Sequence, residues 1–120
     1  MVFPGSLSVR YEIVFAPMAE EDLLALRAVD RAKVIDAIEV HLRYEPTRES
    51  KSRIKRLEGI TAPQYRLRVD DLRAYYDVIY ELGAGKVEIL AILRKADSIE
   101  WLRAHREKED DSSTTEPGKG

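Results

Sequence analysis

QYRLRVDDLRAYYDVIY, residues 64–80, sets two strand-like runs side by side with Asp70-Asp71 between them. Alternation of period two places Tyr65, Leu67 and Val69 on one face of the first run and Arg66 and Arg68 on the other. Like charges held side by side repel, so such a face calls for an anion opposite it or for carboxylates close enough to neutralise it. Asp70, Asp71 and Glu58 are candidates for the second role, and Arg73 on the following run adds a third guanidinium.

Downstream, residues 73–82 and 86–94 form a hairpin around Gly83-Ala84-Gly85, a loop length suited to antiparallel strands. Val87 to Leu93 is nearly all apolar, as a central strand covered on both faces requires. Upstream, Arg53 to Leu57 is a short strand before the turn at Gly59, and the β-rich run Val9 to Phe15 is the first strand. Between them Pro17 fits the first turn of a helix whose positive dipole end meets Glu20, Glu21 and Asp22, with Ala19, Leu23 and Leu26 as its apolar stripe. Asp30 is placed to cap a second helix, with Val34, Ile35, Ile38 and Leu42 facing inward as far as about Tyr44, before Pro46 stops it. A last helix runs from Ala96 to about Arg106, with Ile99 and Leu102 on one face. The expected fold is therefore α+β in two layers: an N-terminal strand, a two-helix hairpin, an antiparallel sheet of three to four further strands and a short C-terminal helix.

A chain of 120 residues supports one core, expected over residues 1–106. Residues 107–120, EKEDDSSTTEPGKG, hold no aliphatic or aromatic side chain and are expected to form a disordered polar tail. The absence of cysteine excludes disulfides, thiolate nucleophiles and cysteine-ligated zinc, and fits a reducing cytoplasm. No run approaches a membrane span, so no membrane partner is expected. The net charge of -2 averages over unlike segments: residues 43–73 carry nine Lys/Arg against five Asp/Glu, whereas residues 1–42 carry four against seven. A local electropositive site on an otherwise neutral domain follows.

Taken in order, the βαα start, KRLEG (55–59), QYRLRVDDLRAYYDV (64–78), the hairpin and RKADSIEWL (94–102) resemble the RelE/ParE toxin superfamily over roughly residues 9–103. The resemblance implies the toxin of a type II toxin-antitoxin system, a cognate antitoxin as partner, and cleavage of mRNA on the ribosome through attack of the RNA 2′-hydroxyl on the adjacent phosphate. Several guanidinium groups can stabilise that transition state, so no cofactor or metal is expected. It further implies that Arg66 and Arg68 engage the phosphate, that Arg73 stabilises transition-state charge, and that Lys95 and Trp101 stand where an arginine and a stacking tyrosine usually occur. Arg53, Lys55, Tyr75 and Arg94 are expected to extend an RNA-binding groove. The substitutions matter chemically: Lys95 lacks bidentate geometry, Trp101 lacks a hydroxyl, and no arginine is a good general base. Two alternatives therefore stand beside the nuclease, a ParE-like inhibitor of DNA gyrase and a toxin that only binds its antitoxin. For Trp101 a helix-packing role competes with stacking. His41 is expected to be structural, and His105, four residues after Trp101, is the one histidine placed to act as a base. The resemblance fixes no oligomeric state.

Overall fold

The computed structural model describes the backbone of residues 9–114 and the side chains through residue 106. The elements are β1 (Glu12–Phe15), α1 (Pro17–Ala25), α2 (Ala28–Leu42), β2 (Ile54–Arg56), β3 (Tyr65–Val69), β4 (Leu72–Glu81), β5 (Ala84–Arg94) and α3 (Lys95–Thr114). The fold is α+β, with all five strands in one mixed sheet of order β1-β5-β4-β3-β2. The four strands from β2 onward are antiparallel neighbours, as expected. β1 joins the far edge parallel to β5, pairing Glu12 to Phe15 with Lys86 to Ile89.

One face of the sheet makes the core. Leu67, Val69, Leu72, Ala74, Tyr76, Val87, Ile89 and Ile92 pack there against Ala19 and Leu23 of α1 and Val34, Ile38 and Leu42 of α2. α1 begins with Pro17, whose missing N–H costs nothing at a first turn. Its Asp22 reaches the sheet, accepting the backbone N–H of Ile92 at 3.0 Å just past the point where β1 has left the β5 edge. Tyr76 is fully buried and donates its hydroxyl to the carbonyl of Pro46 at 2.6 Å, tying β4 to the chain that leaves α2. Burial drives its phenol far above the ordinary range, so that hydroxyl stays a donor.

Several expectations are corrected. Asp30 does not cap α2; the N-cap is Arg27, and Asp30 sits in the first turn bridged to Arg27 and Arg94. Ile35 faces solvent, not the core. The hairpin turn is Leu82-Gly83, since Glu81 already pairs with Ala84; both turn residues have positive φ (54° and 78°), as a tight two-residue turn between twisted strands requires. Gly85 lies inside β5, where a Cβ would come within 2.4 Å of the Tyr11 ring.

α3 differs most from expectation. It starts at Lys95 and its backbone is helical to Thr114, well past Arg106. Ile99 is exposed, and the side chains turned toward the sheet include Ser98 and Trp101. Because Trp101 stacks on Tyr75, which points away from the core, α3 covers the face opposite α1 and α2 and adds a partial third layer. Of the tail expected from residue 107, residues 115–120 lie outside the described residues.

Candidate phosphate-binding face

The β3 register fixes which side chains share the second face. Arg66 pairs with Lys55 of β2 on one side and Tyr75 of β4 on the other, while Arg68 lies directly opposite Arg73. Cross-strand partners project to the same side of a sheet, so Lys55, Arg66, Arg68, Arg73 and Tyr75 form one group. The alternation legible in the sequence therefore places Arg66, Arg68 and Arg73 together.

Their partners show what they lack. Arg73 is only 6% exposed, and its Nη1 donates to the carbonyls of Asp70 (2.9 Å) and Leu72 (3.0 Å). Burial first, and then the charges of Arg66 and Arg68, hold its guanidinium below the ordinary range. Arg66 is half-buried with its Nε shut away from solvent and without a hydrogen-bond partner. Among the described residues none of the three arginines forms an ion pair. The nearby carboxylates are engaged elsewhere: Asp70 bridges to Lys33 at 3.3 Å and Asp71 to Arg94 at 3.9 Å. Like charges opposite one another are unfavourable, and a buried guanidinium nitrogen without an acceptor costs more still. Among the described residues the cluster thus has no carboxylate of its own to offset its charge.

Comparisons with known proteins agree with this architecture. No family model matches the chain, and no curated protein does. Among solved structures, a chain of the toxin-antitoxin complex RelBE2 from Mycobacterium tuberculosis superposes with a TM-score of 0.61 at 28% identity, covering 74% of this chain and 95% of that one. A chain of the archaeal RelE-RelB complex from Pyrococcus horikoshii OT3 gives 0.56 at 23% identity, over 72% and 96% of the two chains. The YoeB/ParE toxin from Agrobacterium tumefaciens gives 0.56 at 17%, over 69% and 97%. The chain has a RelE/ParE-like toxin fold.

Within this RelE/ParE-like fold the other expected residues divide. Lys55 shares the arginine face through its pairing with Arg66. Lys95 is exposed at the start of α3, where its backbone N–H donates to the Asp71 carbonyl at 2.8 Å. Arg94 falls on the other side: it shares a face with Leu72 and contacts Asp30 at 3.3 Å. It does not join the cluster, because one residue along a strand reverses the side-chain direction. Burial pushes the Asp30 carboxyl up, yet the hydrogen bonds and charges of Arg94 and Arg27 outweigh it and leave it lowered. Arg53 donates through Nη1 to the Arg68 carbonyl at 3.2 Å and lines a groove of about 410 Å³ along α2 with His41 and Tyr44.

The aromatic side chains depart furthest from the sequence expectation. Tyr75 is 1% exposed, with its ring stacked on Trp101 at 5.0 Å between centroids, so it is not presented to a base. Trp101 is half-buried and in turn contacts the His105 ring at 3.9 Å. His105 Nδ1 lies 3.0 Å from the Trp101 carbonyl. A carbonyl only accepts, so Nδ1 carries the hydrogen and, in the neutral ring, Nε2 is the acceptor. Arg106, next in sequence, donates to the Glu58 carbonyl at 3.0 Å. The spacing of Trp101 and His105 signalled their contact; the Arg106 anchor had no signal, because Glu58 is remote in sequence.

Proposed function

We propose that the chain is the toxin of a toxin-antitoxin pair and that it cleaves mRNA on the ribosome. The observation that carries this is the buried, unpartnered Nε of Arg66 beside the buried Arg73, with no carboxylate paired to either among the described residues. In-line attack of a ribose 2′-oxygen on phosphorus spreads negative charge over the non-bridging oxygens, and fixed guanidinium groups stabilise that charge. Arg66, Arg68 and Arg73 are assigned that task, with Lys55 and Lys95 adding charge at the margin. Two of the matched structures are toxin-antitoxin complexes. An antitoxin bearing a flexible acidic segment would cover the same cations.

The experiment is cleavage of a reporter mRNA on translating ribosomes. Wild-type protein yields new cuts within the reading frame. Arg66→Ala lowers kcat/KM by about 10²- to 10³-fold, the usual loss for one transition-state donor. Its melting temperature stays near wild type, since the Arg66 Nε makes no hydrogen bond in the fold. Arg73 is the less clean target because its two backbone hydrogen bonds are structural. Cutting by Arg66→Ala at the wild-type rate overturns the proposal. The packing of Trp101 against Tyr75, which withdraws both rings from easy base stacking, favours a second reading, a non-catalytic inhibitor of DNA gyrase. Loss of supercoiling activity with no mRNA cuts would select it.

A further inference from the structure

We infer that His105 is the proton acceptor of this site, taking the 2′-hydroxyl proton of the RNA; the inference rests on the nuclease function proposed above. The arginine cluster lacks such a group, because a guanidinium has five donors and no acceptor, and an ammonium has donors only.

Placement singles out His105. The backbone N–H of Lys95 is held at the β3–β4 turn by Asp71, and Arg106 is held at the β2–β3 loop by Glu58. α3 therefore runs along β4 on the arginine face, beside β3. Trp101 rests on Tyr75, the cross-strand neighbour of Arg66, and His105 rests on Trp101 one turn later. The bond from Nδ1 to the Trp101 carbonyl orients the ring and fixes the tautomer, leaving Nε2 to accept a proton. A neighbour that holds one imidazole nitrogen so that the other can act is the usual way a histidine base is positioned. From the elements beneath and beside α3, the charged groups on this face are Lys55 of β2, Arg66 and Arg68 of β3, Arg73 and the half-buried Asp77 of β4, and Lys86 and Glu88 of β5; Asp77 is engaged by the Gln64 backbone N–H. Glu58 lies in the loop where Arg106, the neighbouring cation on α3 itself, is anchored.

In the step, Nε2 takes the proton as the O2′–H bond breaks and O2′ bonds to phosphorus. The P–O5′ bond then breaks, and the departing oxygen takes a proton from water. The hydroxide so formed is neutralised by the proton that His105 releases. The products are a 2′,3′-cyclic phosphate and a 5′-hydroxyl.

The test follows kcat/KM against pH with full-length protein and ribosome-bound mRNA. His105→Phe keeps a ring against Trp101 and removes both nitrogens. It is expected to lose about 10²- to 10⁴-fold in rate, the range for a positioned base, together with the acidic limb of the profile. His105→Ala is expected to be equally slow and to recover activity when imidazole is added, which a merely structural ring would not allow. Undiminished cutting by His105→Phe with the wild-type pH profile overturns the inference and leaves the nuclease standing. Slow cutting by His105→Ala that imidazole does not restore also overturns it. Wild-type protein that cuts nothing at any pH overturns the nuclease and this inference together.

Discussion

Asp77 shows how one side chain sets a pH dependence in this fold. The backbone N–H of Gln64 donates to Asp77 Oδ1 at 2.7 Å, and the N–H of Val78 donates to Gln64 Oε1 at 2.9 Å, so the two side chains continue the β3–β4 ladder beyond Tyr65. Burial, aided by Glu88 directly across on β5, raises the Asp77 carboxyl against the opposing pull of the Gln64 N–H and Arg56. A folded-state value above the unfolded one, about 3.9, means the fold favours the protonated acid. That stabilisation is complete below the unfolded value and is lost as pH rises through the folded one; above it, the ionised form opposes folding. Asp77→Asn keeps an acceptor for Gln64 and removes the charge. Urea unfolding should find this variant more stable than wild type at pH 7, with the advantage gone near pH 3. A variant less stable than wild type at pH 7 would show that the hydrogen bond to the ionised form outweighs burial. None of this was legible in the sequence, where Gln64 and Asp77 are merely polar residues at strand positions. Arg66 and Arg68 were legible, because alternation along a strand is a property of the backbone itself.

At the scale of an element, the β4–β5 hairpin shows why glycine can mislead. Two glycines at 83 and 85 drew the expected loop onto residues 83–85, yet the turn is Leu82-Gly83. Gly85 serves another need, the close approach of the Tyr11 ring, a contact between segments 74 residues apart that no local pattern announces. The turn thus holds a leucine at φ 54° with its side chain wholly in solvent. A left-handed residue with a Cβ costs roughly 1–2 kcal/mol, and asparagine is tolerated far better there, with Asn-Gly the favoured pair for such turns. Leu82→Asn should therefore raise the unfolding free energy by about 1 kcal/mol, read as a higher denaturation midpoint at constant slope. A lowered midpoint would show that Leu82 makes a stabilising contact. The start of α1 and the end of α2 were legible to within a few residues because Pro17 and Pro46 punctuate them, whereas the end of α3, expected near Arg106, was not. Which face α3 would cover was not, since Ile99 looked as suitable for packing as Trp101 until Tyr75 was found on the second face.

Across the whole molecule, charge is unevenly distributed along the chain. Residues 1–42, which supply β1 and both helices of the core face, carry four Lys/Arg against seven Asp/Glu, whereas residues 43–73 carry nine against five. Of the second segment, Lys55, Arg66, Arg68 and Arg73 look away from α1 and α2, whereas Arg43 and Arg53 stay beside α2. A net charge of -2 is thus a poor guide to how the chain meets a polyanion, because screening at physiological salt, with a Debye length of about 8 Å, leaves a ligand responding mainly to the face it touches. The sequence disclosed the uneven charge but not which of these cations look away from the helices, a matter that depends on β1 closing the sheet at the far edge and on the helices choosing one side. If the arginine face binds single-stranded RNA, each phosphate neutralised contributes a slope of about −0.7 in log K against log salt, so three arginines predict a slope of about −2. Arg68 is the residue to remove, being exposed and making no side-chain hydrogen bond in the described structure. Arg68→Ala should bind an RNA oligonucleotide more weakly at low salt and lose about 0.7 of the slope, with unfolding unchanged. Fluorescence anisotropy between 50 and 300 mM salt, a window of roughly the range over which such contacts weaken, measures both. An unaltered slope in Arg68→Ala would mean that the RNA contacts lie off this face, even if the overall affinity fell.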